Sequence, residues 1–411
     1  MKYCLIGKKL GHSYSREIHQ EKGLDYALVE VAENDLAKFF KNNEYNGFNV
    51  TIPYKKDVIP YMSEVSAVAK LAGAINTVIN KNGKFYGYNT DVDGMKYMLS
   101  RNGVTLKDKS VLILGSGGTS NTAKTLCQIE NAKTVRVVSR TGEINYDNCY
   151  NYQDVEIIIN TTPVGMFPNV DCKPIECGNF KNLIAVFDCI YNPFLTELLS
   201  DAKRLGVIYS DGLPMLVKQA LLAEEIWLEN VIDDSETEKI ISKLRIQKSN
   251  IVLYGMPSSG KSTLGKKIAK ILDREFIDTD EYILKITRKT PSNIINESGI
   301  DEFRNIESQA VKEVAKLSGK VIALGGGAVL RSENVTALKR NGVLLYVKRN
   351  LELLSVKGRP LSQTIGVEKL YEQRKDIYEN IKDCVIENNG KLNVAVNGVI
   401  LEYENTCNKW C

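Results

Sequence analysis

Two short glycine-rich turns, each set between a β-rich run and a helical stretch, restrict this chain more than any other feature. Ser110–Leu114 leads into Gly115-Ser116-Gly117-Gly118-Thr119 and the helical Asn121–Glu130, while Asn250–Tyr254 leads into Gly255-Met256-Pro257-Ser258-Ser259-Gly260-Lys261-Ser262-Thr263. A strand that feeds a helix through glycines is the βα turn of a parallel sheet. The missing side chains let backbone N–H groups approach a phosphate while the helix N-terminus faces its charge. At 411 residues the chain exceeds one ordinary core, so two such turns imply two α/β frames. Strands alternate with helical stretches almost throughout, beginning with Lys2–Gly7, Tyr26–Val31, the helical Asn34–Asn42 and Gly47–Ile52. The charged, helical Val231–Lys248 precedes the second turn and puts the main boundary near 246–248.

Charge and cysteine usage narrow the partners. The 54 basic and 50 acidic residues are dispersed and leave a net charge of +4, which gives nucleic acid or a membrane surface nothing to hold. Anionic small molecules are the natural partners. Met1–Gly7 is too short for a signal peptide and no stretch approaches a membrane span, so a cytoplasmic protein is expected. The nine cysteines form no C-x-x-C pair, the nearest neighbours being Cys172/Cys177 and Cys407/Cys411, and read as free thiols. The two histidines, His12 and His19, read as structural.

The two turns differ in chemistry. In the first frame, an acidic residue at the end of the strand Thr134–Ser139 would grip a free ribose 2′-hydroxyl, but the chain reads Ser139-Arg140-Thr141. An arginine there suits a 2′-phosphate, so NADP(H) is expected on Gly115, Ser116, Gly117, Gly118, Thr119, Ser139, Arg140 and Thr141. The second turn is a G-x-x-x-x-G-K-[ST] phosphate loop. Gly255, Ser259, Gly260 and Thr263 belong to the ATP cradle, Lys261 reaches the β- and γ-phosphates, and Ser262 ligates Mg²⁺.

Further motifs carry a resemblance. H-S-Y-S (His12 to Ser15), G-F-N-V-T-I-P-Y-K (Gly47 to Lys55), G-A-I-N-T (Gly73 to Thr77) and G-Y-N-T-D (Gly87 to Asp91) occur in order. I-N-T-T-P-V-G-M (Ile159 to Met166), Asp188 with Tyr191, and G-L-P-M-L-V-K-Q-A (Gly212 to Ala220) follow. Together they resemble the shikimate dehydrogenase family over about residues 1–245. The resemblance implies that Ser13, Ser15, Thr51, Asn76, Asn89, Tyr191 and Gln219 hydrogen-bond the substrate carboxylate and ring hydroxyls, with Lys55 and Asp91 as the catalytic pair. A lysine beside a carboxylate can deliver the proton that a ketone needs as hydride arrives; which of the two is the formal acid stays open. The chain departs from the family at Arg16, where proline is usual, and at Ser139, where asparagine is usual.

In the second half, F-I-D-T-D (Phe276 to Asp280), E-F-R-N-I-E (Glu302 to Glu307), L-G-G-G-A-V (Leu324 to Val329), G-R-P-L (Gly358 to Leu361) and R-K-D-I-Y (Arg374 to Tyr378) are similar to shikimate kinase over about residues 248–390. That resemblance implies Asp280 as base and Asp278 in the magnesium water shell. It also implies Arg304 and Arg374 on the shikimate carboxylate, Gly325, Gly326 and Gly327 against the ring, and Arg359 on a closing lid. The lid segment Leu353–Gly366 is shorter than in the family, and Lys357 is the nearest basic residue ahead of R-P-L.

The expected fold class is α/β throughout. A substrate domain (1–100, completed by helices near 212–245) and a Rossmann NADP-binding domain (101–245) precede a P-loop, nucleoside monophosphate kinase-like domain (248–411). The expected function is reduction of 3-dehydroshikimate to shikimate with NADPH, then phosphorylation of shikimate with Mg-ATP. Two alternatives stay open: a preference for quinate in the first half, and a non-catalytic, nucleotide-binding regulatory second half. Oligomeric state and the role of the tail Asn388–Cys411 are not legible.

Overall fold

The structure is a computed structural model that describes residues 1–11, 13–356 and 360–410. His12, Lys357, Arg359 and Cys411 therefore lie outside the described residues, as does Gly358 of the G-R-P-L motif. Two compact units, Met1–Ile241 and Ser242–Cys411, part within the helix Asp234–Lys248, whose C-terminal end holds the boundary read from the sequence.

The first unit contains two sheets. β1 (Lys2–Gly7), β2 (Asp25–Glu30), β3 (Gly47–Val50), β4 (Glu64–Val65), β5 (Thr77–Lys81) and β6 (Lys84–Tyr88) are ordered β2-β1-β3-β5-β6-β4. β5 and β6 pair antiparallel across Asn82-Gly83, both at positive φ, the turn that matches strand twist. The second sheet is wholly parallel, with β7 (Ser110–Leu114), β8 (Thr134–Val138), β9 (Ile157–Asn160), β10 (Ala185–Asp188) and β11 (Ile208–Ser210) ordered β11-β10-β9-β7-β8. Every residue of β7 is buried, as an apolar run covered on both faces requires. Helix Leu213–Leu228 returns to the first sheet, where the Trp227 indole donates to Val78 O at 2.9 Å. The same helix meets helix Asp91–Ser100 so closely that a β-carbon on Gly94 would lie 2.7 Å from Met215 O. His19 is fully buried, its Nδ1 2.7 Å from Glu224 and its ring stacked on Tyr26.

The second unit holds one parallel sheet of β12 (Asn250–Tyr254), β13 (Phe276–Asp278), β14 (Val321–Ala323), β15 (Gly342–Lys348) and β16 (Cys384–Glu387), ordered β13-β14-β12-β15-β16. Apolar clusters line both faces, so helices cover the sheet on each side. From β12 the chain crosses to the edge strand β13, returns to β14, and then passes to β15 and β16 on the other side of β12. The loop after β12 therefore sits at the switch point, where parallel sheets open a crevice. Among the described residues no helix is long and apolar enough to cross a membrane, and the cysteines are free.

Two differences from the sequence reading bear on the sites. β3 stops at Val50 instead of Ile52 because Pro53 has no N–H to extend the ladder, and Ile52 turns outward. The first glycine turn passes into helix at Gly118, not Asn121, since the helix N-terminus must begin at the glycines to face a phosphate.

Candidate active sites

A cavity of about 740 Å³ lies in the first unit between the sheets. The C-terminal end of β3 gives Thr51 and, past Pro53, Lys55; the start of helix Asp91–Ser100 gives Asp91; helix Leu213–Leu228 gives Gln219. Ser13, Ser15, Asn76 and Tyr191 complete the predicted residues on its wall.

Lys55 Nζ donates to Asp91 Oδ2 at 2.6 Å, with both side chains partly screened from solvent. Asp91 Oδ1 accepts from Asn76 Nδ2 at 3.0 Å, and the same amide reaches Gln219 Oε1 at 3.3 Å. Asn76 is in turn fixed by the Thr90 backbone N–H, which donates to its Oδ1 at 2.7 Å. Asp91 is also the first residue of its helix, where the helix dipole favours a carboxylate. A charged pair thus stands on a prepared, largely buried polar shelf. Elsewhere on the cavity wall, Ser13 Oγ donates to Ser15 Oγ at 3.0 Å, and the Tyr191 ring packs against Tyr14. Asn89 does not line the cavity. Its amide donates to Ala74 O at 2.9 Å and its carbonyl accepts from the Val92 N–H at 3.3 Å, so it holds the turn behind Asp91.

The first glycine turn borders this cavity through Thr119. Gly115 sits at φ +101, and a β-carbon there would strike Thr161 and Thr162 at 2.9 Å. Ser116, Gly117 and Gly118 are exposed, and a β-carbon on either glycine would meet only open space. The cradle therefore leaves room for a pyrophosphate at the helix N-terminus. Gly115 N donates to Val138 O at 2.8 Å, which sets Ser139, Arg140 and Thr141 beside the turn, with Arg140 and Thr141 exposed.

The sequence did not assign roles to several neighbours. Met166, Cys189 and Met215 also line the cavity. Asp188 is fully buried and accepts from Asn160 Nδ2, the Ile190 N–H and Thr196 Oγ1 at 3.0, 3.0 and 2.7 Å, which locks the segment that ends in Tyr191. Burial pushes its carboxyl up to about 7, against the pull of those donors. Its place in the D-x-x-Y pair was the only signal that could have marked it.

In the second unit, Gly255 at φ +145 and Gly260 at φ +97 shape the loop after β12. A β-carbon on Gly255 would lie 2.5 Å from Val347 O. Lys261 opens helix Lys261–Leu272, and its Nζ donates to Gly255 O at 3.1 Å and Met256 O at 2.8 Å. Ser262 Oγ donates to Asp278 Oδ2 at 2.6 Å, while Asp278 Oδ1 accepts from the Asp280 N–H. A hydroxyl and a carboxylate oxygen in contact, with Thr263 exposed nearby, are hard oxygen donors of the kind Mg²⁺ takes alongside water.

The glycine run after β14 brings the remaining groups together. A β-carbon on Gly325 would lie 2.8 Å from Asp280 Oδ1 and 2.9 Å from Glu307 Oε1, and one on Gly327 would overlap the Arg304 guanidinium. Arg374, 4% exposed, donates to Gly326 O at 2.8 Å, and Tyr378 OH donates to the same oxygen. Arg304 is paired with Glu307. Burial raises the Glu307 carboxyl, partly offset by Arg304. Glu307 ends the E-F-R-N-I-E motif but had no predicted role; its pairing with Arg304 is an i,i+3 contact on one helix, while its approach to the glycine run is visible only in three dimensions.

Comparison with known proteins places these arrangements. Residues 5–78 match the family described as shikimate dehydrogenase substrate binding domain, and residues 257–403 match shikimate kinase. A shikimate dehydrogenase (NADP(+)) of Clostridium beijerinckii is 36% identical over 260 residues, covering 58% of this chain and 96% of that protein. One from Caldicellulosiruptor bescii is 39% identical over 259 residues, covering 56% and 90%. Among solved structures, a chorismate mutase/shikimate 5-dehydrogenase fusion protein from Clostridium acetobutylicum superposes with a TM-score of 0.57 at 38% identity, covering 59% of this chain and 96% of the other. Shikimate 5-dehydrogenase from Thermus thermophilus, in complex with NADP(H) and shikimate, gives 0.53 at 26% identity, covering 59% and 99%.

Proposed function

Since this chain belongs to the shikimate dehydrogenase family and carries a shikimate kinase family domain behind it, we propose that it makes shikimate 3-phosphate in two steps. The first is reduction of 3-dehydroshikimate with NADPH; the second is phosphorylation of the shikimate formed with Mg-ATP. We read a substrate domain in 1–100 completed by 212–245, a dinucleotide domain in 101–245 and a kinase domain in 248–411. The observation that carries the reading is the 2.6 Å Lys55–Asp91 contact in a cavity that Thr119 of the dinucleotide turn also reaches.

The nicotinamide supplies the hydride when bound. Lys55, aimed by its hydrogen bond to Asp91, delivers a proton to the ketone oxygen as it gains negative charge, so C=O becomes HC–OH. Ser13, Ser15, Thr51, Asn76, Tyr191 and Gln219 orient the carboxylate and ring hydroxyls. Asn89 would join them only by exchanging its bond to Ala74 O for one to the ring. Arg140 would hold the 2′-phosphate, with Ser139 and Thr141 beside it.

In the kinase half, Asp280 takes the proton of the 3-hydroxyl as its oxygen bonds the γ-phosphorus and the bond to ADP breaks. Arg304 and Arg374 hold the carboxylate. Lys261 exchanges its two loop carbonyls for the β- and γ-phosphates, and Gly255, Ser259, Gly260 and Thr263 form the cradle. Ser262, with Asp278 through water, would hold Mg²⁺, which neutralises phosphate charge when bound. Arg359 is assigned to the lid by resemblance alone.

The test assays each step separately: NADPH consumption on 3-dehydroshikimate, and ADP release on shikimate. Lys55→Ala should abolish only the first and Lys261→Ala only the second. Loss of both activities in either variant, or ADP release independent of shikimate, would contradict this assignment.

A further inference from the structure

β12, β15 and β16 are parallel neighbours, so the loops that follow them open on the same edge of the sheet. Three bonds tie those loops together. Ser258 Oγ donates to Ser355 O at 2.7 Å, Asn388 Nδ2 donates to Ser259 O at 2.8 Å, and the Asn350 N–H donates to Asn389 Oδ1 at 2.8 Å. Arg349, the first residue after β15, stands among them. Its Nη1 is 3.7 Å from where a β-carbon on Gly260 would lie, and the Asn388 amide is closer still.

The Arg349 side chain is half-buried, and its Nε is buried with no hydrogen-bond partner among the described residues. A guanidinium keeps its charge at every working pH and carries five donors, so a screened position without an acceptor is costly unless an anion arrives. The neighbouring group is the phosphate loop itself, which ends on Gly260 at φ +97 and the N-terminus of helix Lys261–Leu272. Lys348, one residue earlier, lies 3.8 Å from Glu387 and is already partnered, so the open charge belongs to Arg349 alone of this pair.

We propose that Arg349 is a nucleotide-binding residue, its guanidinium taking the phosphate chain of the nucleotide seated on the Gly255–Thr263 loop. This deepens the kinase reading above and rests on that loop accepting a nucleotide. Asn388 and the Ser258–Ser355 bond act as its supports, fixing the loops between which the guanidinium stands. The resulting site grips the phosphates from β15 as well as from the loop.

The test is calorimetric titration of the full chain with Mg-ADP, adenosine and shikimate. Arg349→Gln should raise the Kd for Mg-ADP about tenfold, as expected for a charge-assisted hydrogen bond. Arg349→Lys, which keeps the charge without the fork, should recover part of that loss, while adenosine and shikimate bind as in the parent. Unchanged Mg-ADP affinity in Arg349→Gln overturns the proposal, as does an equal loss for adenosine, which would put the contact on the base. A matching loss for shikimate would mark a folding defect and overturn it too. A parent that binds Mg-ADP but transfers no phosphoryl group to shikimate refutes the kinase reading while leaving Arg349 to the binding data. A parent that binds no Mg-ADP refutes both.

Discussion

Lys55 and Asp91 lie 36 residues apart in sequence and 2.6 Å apart in space, and the role proposed for them is proton transfer more than stability. Lys55→Ala should cut kcat for reduction by about 10²–10⁴-fold with little change in the KM for substrate, measured under saturating NADPH. Arg140 answers a different question, because its exposed side chain is the one proposed to meet the 2′-phosphate that distinguishes NADP from NAD. Arg140→Ala should raise the KM for NADPH about tenfold and leave turnover with NADH unchanged, which steady-state kinetics with both cofactors will show. Asp188 predicts a pH effect on stability. Its folded carboxyl titrates near 7 against about 4 when unfolded, so the folded state holds a proton that the unfolded chain has lost. The stabilisation is complete below about pH 4 and is lost as pH rises through 7. Melting curves between pH 5 and 8 should therefore show a downward trend that Asp188→Asn flattens; an identical trend in the variant would refute the assignment.

At the scale of elements, the glycine turns were legible because their conformations leave few alternatives. Ser110–Leu114 and Asn250–Tyr254 are strands at the residues read from the sequence, since short apolar runs ending in glycine fit a buried parallel strand. Less legible was how far each element runs. A proline three residues past its last residue shortened β3, and the demands of a phosphate-facing helix lengthened the first turn's helix backward. Least legible were partnerships between distant elements. Asn76 and Gln219 are 143 residues apart, and nothing in either motif announces their contact. Glu307 likewise gains its meaning only when helix Pro291–Ala315 sets it against Gly325. That packing yields a prediction: Gly325→Ala would drive a methyl against Asp280 and Glu307. It should lower kcat/KM for shikimate phosphorylation by about 10–100-fold and leave reduction untouched, as separate assays of the two steps will check.

For the whole molecule, the central point is that the described residues named for reduction lie in Met1–Ile241 and those named for phosphorylation in Ser242–Cys411. Each unit carries its own glycine turn and its own polar constellation, so the roles proposed for each reaction fall on described residues of one unit. A tether alone raises the local concentration of shikimate at the second site only where geometry lets it arrive before it escapes. The product of the first reaction is nevertheless the acceptor proposed for the second, which makes the pair chemically consecutive. The decisive measurement incubates the purified chain with 3-dehydroshikimate, NADPH and Mg-ATP in one vessel and follows products by mass spectrometry. The account predicts shikimate 3-phosphate, formed with consumption of NADPH and release of ADP. Shikimate accumulating without its phosphate, while ATP remains intact, would contradict it and leave a dehydrogenase joined to a domain that does not catalyse transfer.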